Sequence, residues 1–277
     1  MNLSVDFCGI KMKNPLTTAS GTFNPQAHAA FYDLSLLGAV TVKGLSNIPW
    51  EGNPTPRIAE TYGGMLNSVG LQNPGVDAWI REDLPFLKQF DTKIIVNIAG
   101  HTIEEYTAVA EKLADQPVDL LELNISCPNV TEGGVTFGTD PHMVETVVSA
   151  VKRKAAQPLI VKLTPNVTDI VEIAKAAEAG GADALSLINT LLGMRIDVHR
   201  RRPVLARKVG GFSGPAIKPV AVRMVYQVSK EVHLPMIGMG GIMTGEDAAE
   251  FIMAGAAMVA VGTAGLVEPN APVRRMN

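Results

Sequence analysis

Leu159-Ile160-Val161-Lys162-Leu163, then Thr168-Asp169 ahead of Ile170–Ala179, then Gly180-Gly181 and Ala184-Leu185-Ser186-Leu187-Ile188, form the stretch that decides the fold. Each apolar run is too short for a helix and suits a strand buried on both faces. Thr168-Asp169 supplies the side-chain oxygens that start a helix, and the paired glycines stop it. A strand, a helix and a second strand of this kind make a βα unit, whose crossover places the strands parallel and right-handed.

The same grammar recurs along the chain. Apolar runs at Leu16–Ala19, Ala39–Lys43, Ile94–Asn97, Leu120–Asn124, Leu159–Leu163, Ala184–Ile188, Met236–Gly238 and Met258–Val261 predict eight strands. Thr244-Gly245-Glu246-Asp247 predicts a further helix through about Met253, closed at Gly255. Eight parallel strands with helical crossovers close most simply into a (β/α)₈ TIM barrel of the α/β class. The spans Gly44–Lys93 and Asn189–Leu234 are too long for single helices, so insertions are expected after strands two and six, at the mouth. Leu3 to Pro15 alternates around Cys8-Gly9 and predicts an N-terminal β-hairpin under the barrel, which makes Cys8 structural. The whole, residues 1–277, is expected to be a single domain.

Composition narrows the function. Of 277 residues, 47% are hydrophobic and 18% charged, which excludes a disordered chain. The formal net charge of −3 gives no general attraction to nucleic acid or to an anionic membrane. The two cysteines, Cys8 and Cys127, form no CxxC pair, and His28, His101, His142, His199 and His233 show no ligand spacing, so no metal is expected. The N-terminus lacks a signal-peptide pattern and no stretch is long and apolar enough to span a bilayer, so a cytoplasmic location is expected. The run Arg195, Arg200, Arg201, Arg202, Arg207 and Lys208 reads as a solvated loop face, with contact to a partner as the alternative.

Chemistry gathers at the strand ends. Cys127 follows the buried run Val118–Leu123 in Asn124-Ile125-Ser126-Cys127-Pro128-Asn129, at the C-terminal end where barrels carry their active sites. Lys43 and Lys162 each end a strand after a valine, where an unpaired ammonium is costly. With Asn97, Asn124 and Asn189 they point to an anionic ligand rich in hydrogen-bonding groups. Gly238-Met239-Gly240-Gly241 after strand seven and Val261-Gly262-Thr263 after strand eight match the phosphate site that barrels build there.

Taken with Ala19-Ser20-Gly21-Thr22, Thr41-Val42-Lys43-Gly44, Asn67-Ser68-Val69-Gly70-Leu71-Gln72-Asn73-Pro74-Gly75, Val161–Asn166, Ile188-Asn189-Thr190 and Gly211–Pro219, these motifs resemble dihydroorotate dehydrogenase. Cysteine at the base position resembles the class 1 enzymes. Asn129–Gly138 is similar to the class 1B catalytic subunit, which passes electrons to NAD⁺. The resemblance implies an FMN enzyme of pyrimidine biosynthesis that oxidises dihydroorotate to orotate. Cys127 would take the C5 proton and FMN the C6 hydride. It implies a homodimer, assembled into a heterotetramer with a partner subunit that carries FAD and a [2Fe–2S] cluster.

By the same resemblance, Lys43 would face both substrate and flavin, and Asn67, Asn124, Asn129, Asn189, Thr190 and the backbone Ser68-Val69-Gly70-Leu71 would hold the substrate. Lys162 would sit at the flavin N1–C2=O edge, with Ser20, Gly21, Gly44, Asn97, Asn124, Ile188 and Gly214 along the ring and ribityl chain. Gly240, Gly241, Gly262 and Thr263 would hold the phosphate. Members of the family normally carry a further C-terminal helix, which the residues after Val267 lead us to expect truncated here. Alternative readings are a class 1A-type enzyme linked to fumarate, an FMN enzyme similar to tRNA-dihydrouridine synthase, and a non-catalytic FMN-binding barrel.

Overall fold

The computed structural model describes residues 3–126, 131–132 and 135–274. Eight parallel strands form its centre: β1 Leu16–Thr18, β2 Ala39–Thr41, β3 Lys93–Ile98, β4 Leu120–Asn124, β5 Leu159–Lys162, β6 Ala184–Leu187, β7 Met236–Met239 and β8 Met258–Val261. They correspond one for one to the predicted runs. Their hydrogen-bonded order is β1-β8-β7-β6-β5-β4-β3-β2, so chain neighbours are sheet neighbours throughout.

The remaining edge, β1 against β2, is closed by threonine side chains. The Thr41 amide donates to Thr18 Oγ1 at 2.9 Å, and that hydroxyl donates back to the Thr41 carbonyl at 3.1 Å. Thr17 Oγ1 and Thr41 Oγ1 lie 3.0 Å apart in the same seam. All three residues are buried. One side chain therefore satisfies both main-chain groups of Thr41 that a regular ladder would have paired.

Between the strands run the helices. Ile170–Ala179 begins where Asp169 accepts from the amides of Val171 and Glu172, and Gly181 follows it with φ +92°. Gly245–Met253 begins in a capping box between Thr244 and Asp247 and is followed by Gly255 at φ +113°. Both ends fall where the caps predicted. Val76–Leu87, Ile103–Leu113, Pro141–Lys152 and Lys218–Ser229 serve the other long crossovers. Val144, Val147, Val148 and Val151 of Pro141–Lys152 are fully buried at helical spacing, each side chain stabilising the fold by about 1.5–3 kcal/mol. After β8 come two short helices, Thr263–Val267 and Ala271–Arg274, the second burying Ala271.

The hairpin Val5–Phe7/Ile10–Met12 turns at Cys8-Gly9, both with positive φ. Phe7 and Met12 are fully buried against Ala39, Ile95, Leu120, Ile160, Ala184 and Met258, and so plug the barrel floor. Cys8 Sγ lies 3.5 Å from the Asp183 carbonyl, and burial pushes the thiol up to about 11, which suits a structural role.

The two expected insertions form one element. Ile58–Thr61, Gly64–Asn67, Val209–Ser213 and Leu191–Met194 make a four-stranded antiparallel sheet in which Asn67 pairs with Gly211. A third excursion, absent from the sequence expectation, is the small pairing of Thr131–Glu132 with Val135–Thr136 between β4 and the next helix. No helix among the described residues is long and apolar enough to cross a membrane, and none of their His, Cys, Asp and Glu side chains cluster as a metal site.

Candidate active site

Side chains on a strand alternate, so residues two apart share a face. Ile95, Leu120, Ile160 and Ala184 form an apolar layer inside the barrel on four adjacent strands. Two residues further on, the same strands present Asn97, Glu122, Lys162 and Ser186, all buried. The barrel thus turns from apolar to polar within one residue pair, at the end where its loops open.

Glu122 joins this polar layer. Asn97 Nδ2 donates to its Oε2 at 2.5 Å and Ser186 Oγ to its Oε1 at 2.7 Å. Lys162 Nζ stands 3.6 Å from Oε2 and donates to Ser20 Oγ on the loop after β1 at 3.3 Å. Lys43 follows β2, and desolvation, then the charge of Lys162, holds its ammonium below the usual lysine range. Two lysines thus face one space, an arrangement that favours an anion.

Because Asn97 gives its amide nitrogen to Glu122, its Oδ1 points the other way. That oxygen is buried, has no partner among the described residues, and would lie 2.7 Å from a Cβ at Gly44. Gly44 therefore keeps open the space into which an acceptor is aimed. Beside Lys43 a recess of about 260 Å³ opens, bordered by Phe23, Val42, Leu45, Gln72 and Trp79.

Asn124 and Asn189 meet across the mouth. Asn189 Nδ2 lies 3.5 Å from Asn124 Oδ1, which also accepts from the Ser126 amide at 3.3 Å. Tyr106, buried on its helix, donates to the Asn124 carbonyl at 2.7 Å and fixes the end of β4. Asn189 Oδ1 accepts from the Thr190 amide at 2.8 Å. On the inserted sheet, Asn67 Nδ2 donates to the Gly211 carbonyl at 3.4 Å. Asn53 Nδ2 donates to the Ser68 carbonyl, and Asn73 Nδ2 to that of Leu71, so residues 67–73 are held from both ends. Ser68 Oγ is buried without a partner among the described residues, a donor left for a ligand.

The predicted phosphate loops also converge. Gly214, Gly240 and Gly241 all have positive φ, and a Cβ on Gly241 would lie 2.8 Å from the Gly214 carbonyl. Thr263 Oγ1 donates to Ser213 Oγ at 2.8 Å, tying the end of β8 to the inserted sheet. Gly262 packs beside Ala19, while a Cβ on Gly21 would meet nothing within 4 Å. Ile188 follows β6, and its amide donates to the Met239 carbonyl at 3.0 Å. Cys127 and Asn129 lie outside the described residues.

Glu122 was missed in the sequence, although its signal is plain. A glutamate between leucines in Leu120-Leu121-Glu122-Leu123, in phase with Asn124, cannot face solvent in a strand buried on both sides. Ser186 escaped for a weaker reason, since a lone serine in a strand carries no charge to explain.

Such a polar pocket fits a flat, hydrogen-bonding cofactor with an anionic tail: an unpaired acceptor faces open space, glycines line the approach, and paired lysines supply positive charge. A sequence model of the dihydroorotate dehydrogenase family matches residues 2–275. A protein of Alkaliphilus metalliredigens is 69% identical over 274 residues, covering 99% of this chain and 91% of its own length. One from Alkaliphilus oremlandii is 69% identical over 271 residues, 98% of this chain and 90% of its own. One from Geobacillus kaustophilus is 57% identical over 269 residues, 96% and 86% respectively. Each is named as the catalytic subunit of dihydroorotate dehydrogenase B (NAD(+)).

Proposed function

The chain belongs to the dihydroorotate dehydrogenase family, and on that premise we propose how its residues divide the oxidation of dihydroorotate to orotate in pyrimidine biosynthesis. The observation that carries this division is the polar layer Asn97–Glu122–Lys162–Ser186, set directly above the apolar floor. FMN bound there would supply a two-electron acceptor for the hydride leaving C6 of the substrate.

Ser20, Gly21, Gly44, Asn97, Asn124, Lys162, Ile188 and Gly214 would hold the flavin ring and ribityl chain, with Gly240, Gly241, Gly262 and Thr263 at its phosphate. Lys43 would draw in the substrate carboxylate by charge and touch the flavin too. Asn67, Asn124, Asn129, Asn189, Thr190 and the backbone from Ser68 to Leu71 would present donors and acceptors to the planar amide edges, which fixes the ring's orientation. Cys127 would receive the proton from C5, a task that needs its thiolate. Covered by the inserted sheet, the mouth would exclude water and so strengthen each of these polar contacts.

Electrons would then leave to NAD⁺ through a partner subunit carrying FAD and a [2Fe–2S] cluster, with two copies of this chain at the centre of the assembly. A soluble, cytoplasmic setting accords with this. The test is anaerobic addition of dihydroorotate to the FMN-loaded protein while the flavin's visible band is followed. Wild type bleaches rapidly. Cys127→Ser stays yellow and bleaches slower by about 10² or more at neutral pH. Equal rates would remove Cys127 from the base role, and no bleaching of the wild type would contradict the substrate.

A further inference from the structure

We propose that Glu122 is the positioning residue and counter-charge through which the barrel sets the field of Lys162 at the flavin; this rests on the reading that Lys162 faces the flavin edge. Glu122 is 1% exposed and reaches side chains on three other strands. It accepts from Asn97 on β3 and Ser186 on β6 and stands 3.6 Å from the ammonium on β5.

These contacts do two things. They orient Asn97, whose amide nitrogen is committed to the carboxylate and whose oxygen is thereby turned toward Gly44. They also hold Lys162 between Glu122 and Ser20, so that the ammonium spans the mouth at a fixed place. An ammonium has three donors; Ser20 takes one and the Glu122 carboxylate stands beyond hydrogen-bond distance, so donors are left for a ligand. The carboxylate beside it acts on a flavin through that ammonium, drawing Nζ toward β4 and so lowering the positive field that the flavin would feel, in a dry environment where such charges are strongly coupled.

Glu122→Gln isolates the charge. The glutamine oxygen can still accept from Asn97, and its nitrogen can donate to Ser186, whose hydroxyl accepts as readily as it donates. The network keeps its shape and loses one negative charge. A flavin beside an uncompensated Lys162 should bind sulfite more tightly, because sulfite addition at N5 leaves negative charge along the N1–C2=O edge.

The experiment titrates sulfite into the FMN-loaded wild type, Glu122→Gln, Lys162→Met and the double variant, following the loss of the flavin band. We expect Glu122→Gln to tighten sulfite binding about tenfold, and the same substitution to have no effect once Lys162 is methionine. Ser186→Ala, which removes a hydrogen bond and no charge, should leave sulfite affinity within about twofold of wild type. Unchanged affinity in Glu122→Gln overturns the proposal, whatever Lys162→Met does. An equal factor in both backgrounds overturns it too, because Glu122 would then act without Lys162. Failure of the underlying reading looks different: Lys162→Met alone would bind sulfite as the wild type does.

Discussion

Two layers of one barrel, a single residue pair apart, obey opposite rules. Ile95, Leu120, Ile160 and Ala184 pack with Phe7 and Met12 into a floor with no charged group. Asn97, Glu122, Lys162 and Ser186 stand directly above on the same strands, equally buried, and include two opposite charges. The floor stabilises the fold by removing apolar surface from water, about 25 cal/mol per Å². The upper layer does not share that logic. A buried ion pair repays its desolvation only with good geometry and further hydrogen bonds, and an apolar replacement is often neutral or stabilising. The difference teaches that apolar burial stabilises one end of the barrel, while the other holds buried polar and charged groups that stability alone does not explain.

Three predictions sharpen the contrast. The largest belongs to the floor: Leu120→Ala should cost about 2–5 kcal/mol in denaturant unfolding while FMN affinity at low temperature stays within about threefold. A large loss of FMN affinity at full occupancy of the folded state would mean that the two layers are not separable. Next is the seam. Thr18→Val removes the hydroxyl that serves both main-chain groups of Thr41 and should destabilise by about 1–3 kcal/mol, leaving two buried groups unpaired. Stability equal to wild type would show that β1 and β2 close by other means.

The smallest effect concerns Lys43. Its pKa is lowered by burial, then by Lys162, so the free site favours the neutral amine at lower pH than an ordinary lysine does. An anion prefers the charged form, and binding therefore takes up a proton. Orotate affinity, measured by flavin spectral change, should be constant at low pH and fall by up to tenfold per pH unit as pH rises through that lowered pKa. In Lys43→Met this pH dependence should vanish. Its persistence there would assign the titration to another group.

The fold was largely legible in the sequence because its signals are local. Asp169 with Gly180-Gly181, and Thr244 with Gly255, mark helix ends by side-chain and backbone chemistry that acts within a few residues. The strands were legible as short apolar runs, and the Cys8-Gly9 turn as a hairpin. What escaped depends on partners distant in the chain. Nothing local says that residues 58–67 and 191–213 share one sheet, nor that Thr18 and Thr41 close the barrel. The small pairing of Thr131–Glu132 with Val135–Thr136 was hidden for another reason, since a two-residue strand has no period to read.

At the site, strand-end lysines and asparagines stood out because polar groups at the end of buried strands require explanation. Lys162 reads in the sequence as a ligand-facing charge, and the structure supplies its counterpart, Glu122, whose burial the flanking leucines signal but whose partners on three other strands no local pattern names. Cys127 and Asn129 rest on their sequence positions, outside the described residues.

The most direct test of the division between layers compares Glu122→Leu with Glu122→Leu/Lys162→Met by unfolding and by anaerobic reduction with dihydroorotate. The single variant strands a buried ammonium together with the Asn97 and Ser186 donors and should lose about 3–5 kcal/mol, whereas the double variant should regain the part of that loss that belongs to the ammonium. The double variant should nonetheless reduce its flavin more slowly by about tenfold or more. A double variant that stays as unstable as the single one would contradict the account, and so would one that is stable and reduces its flavin at the wild-type rate.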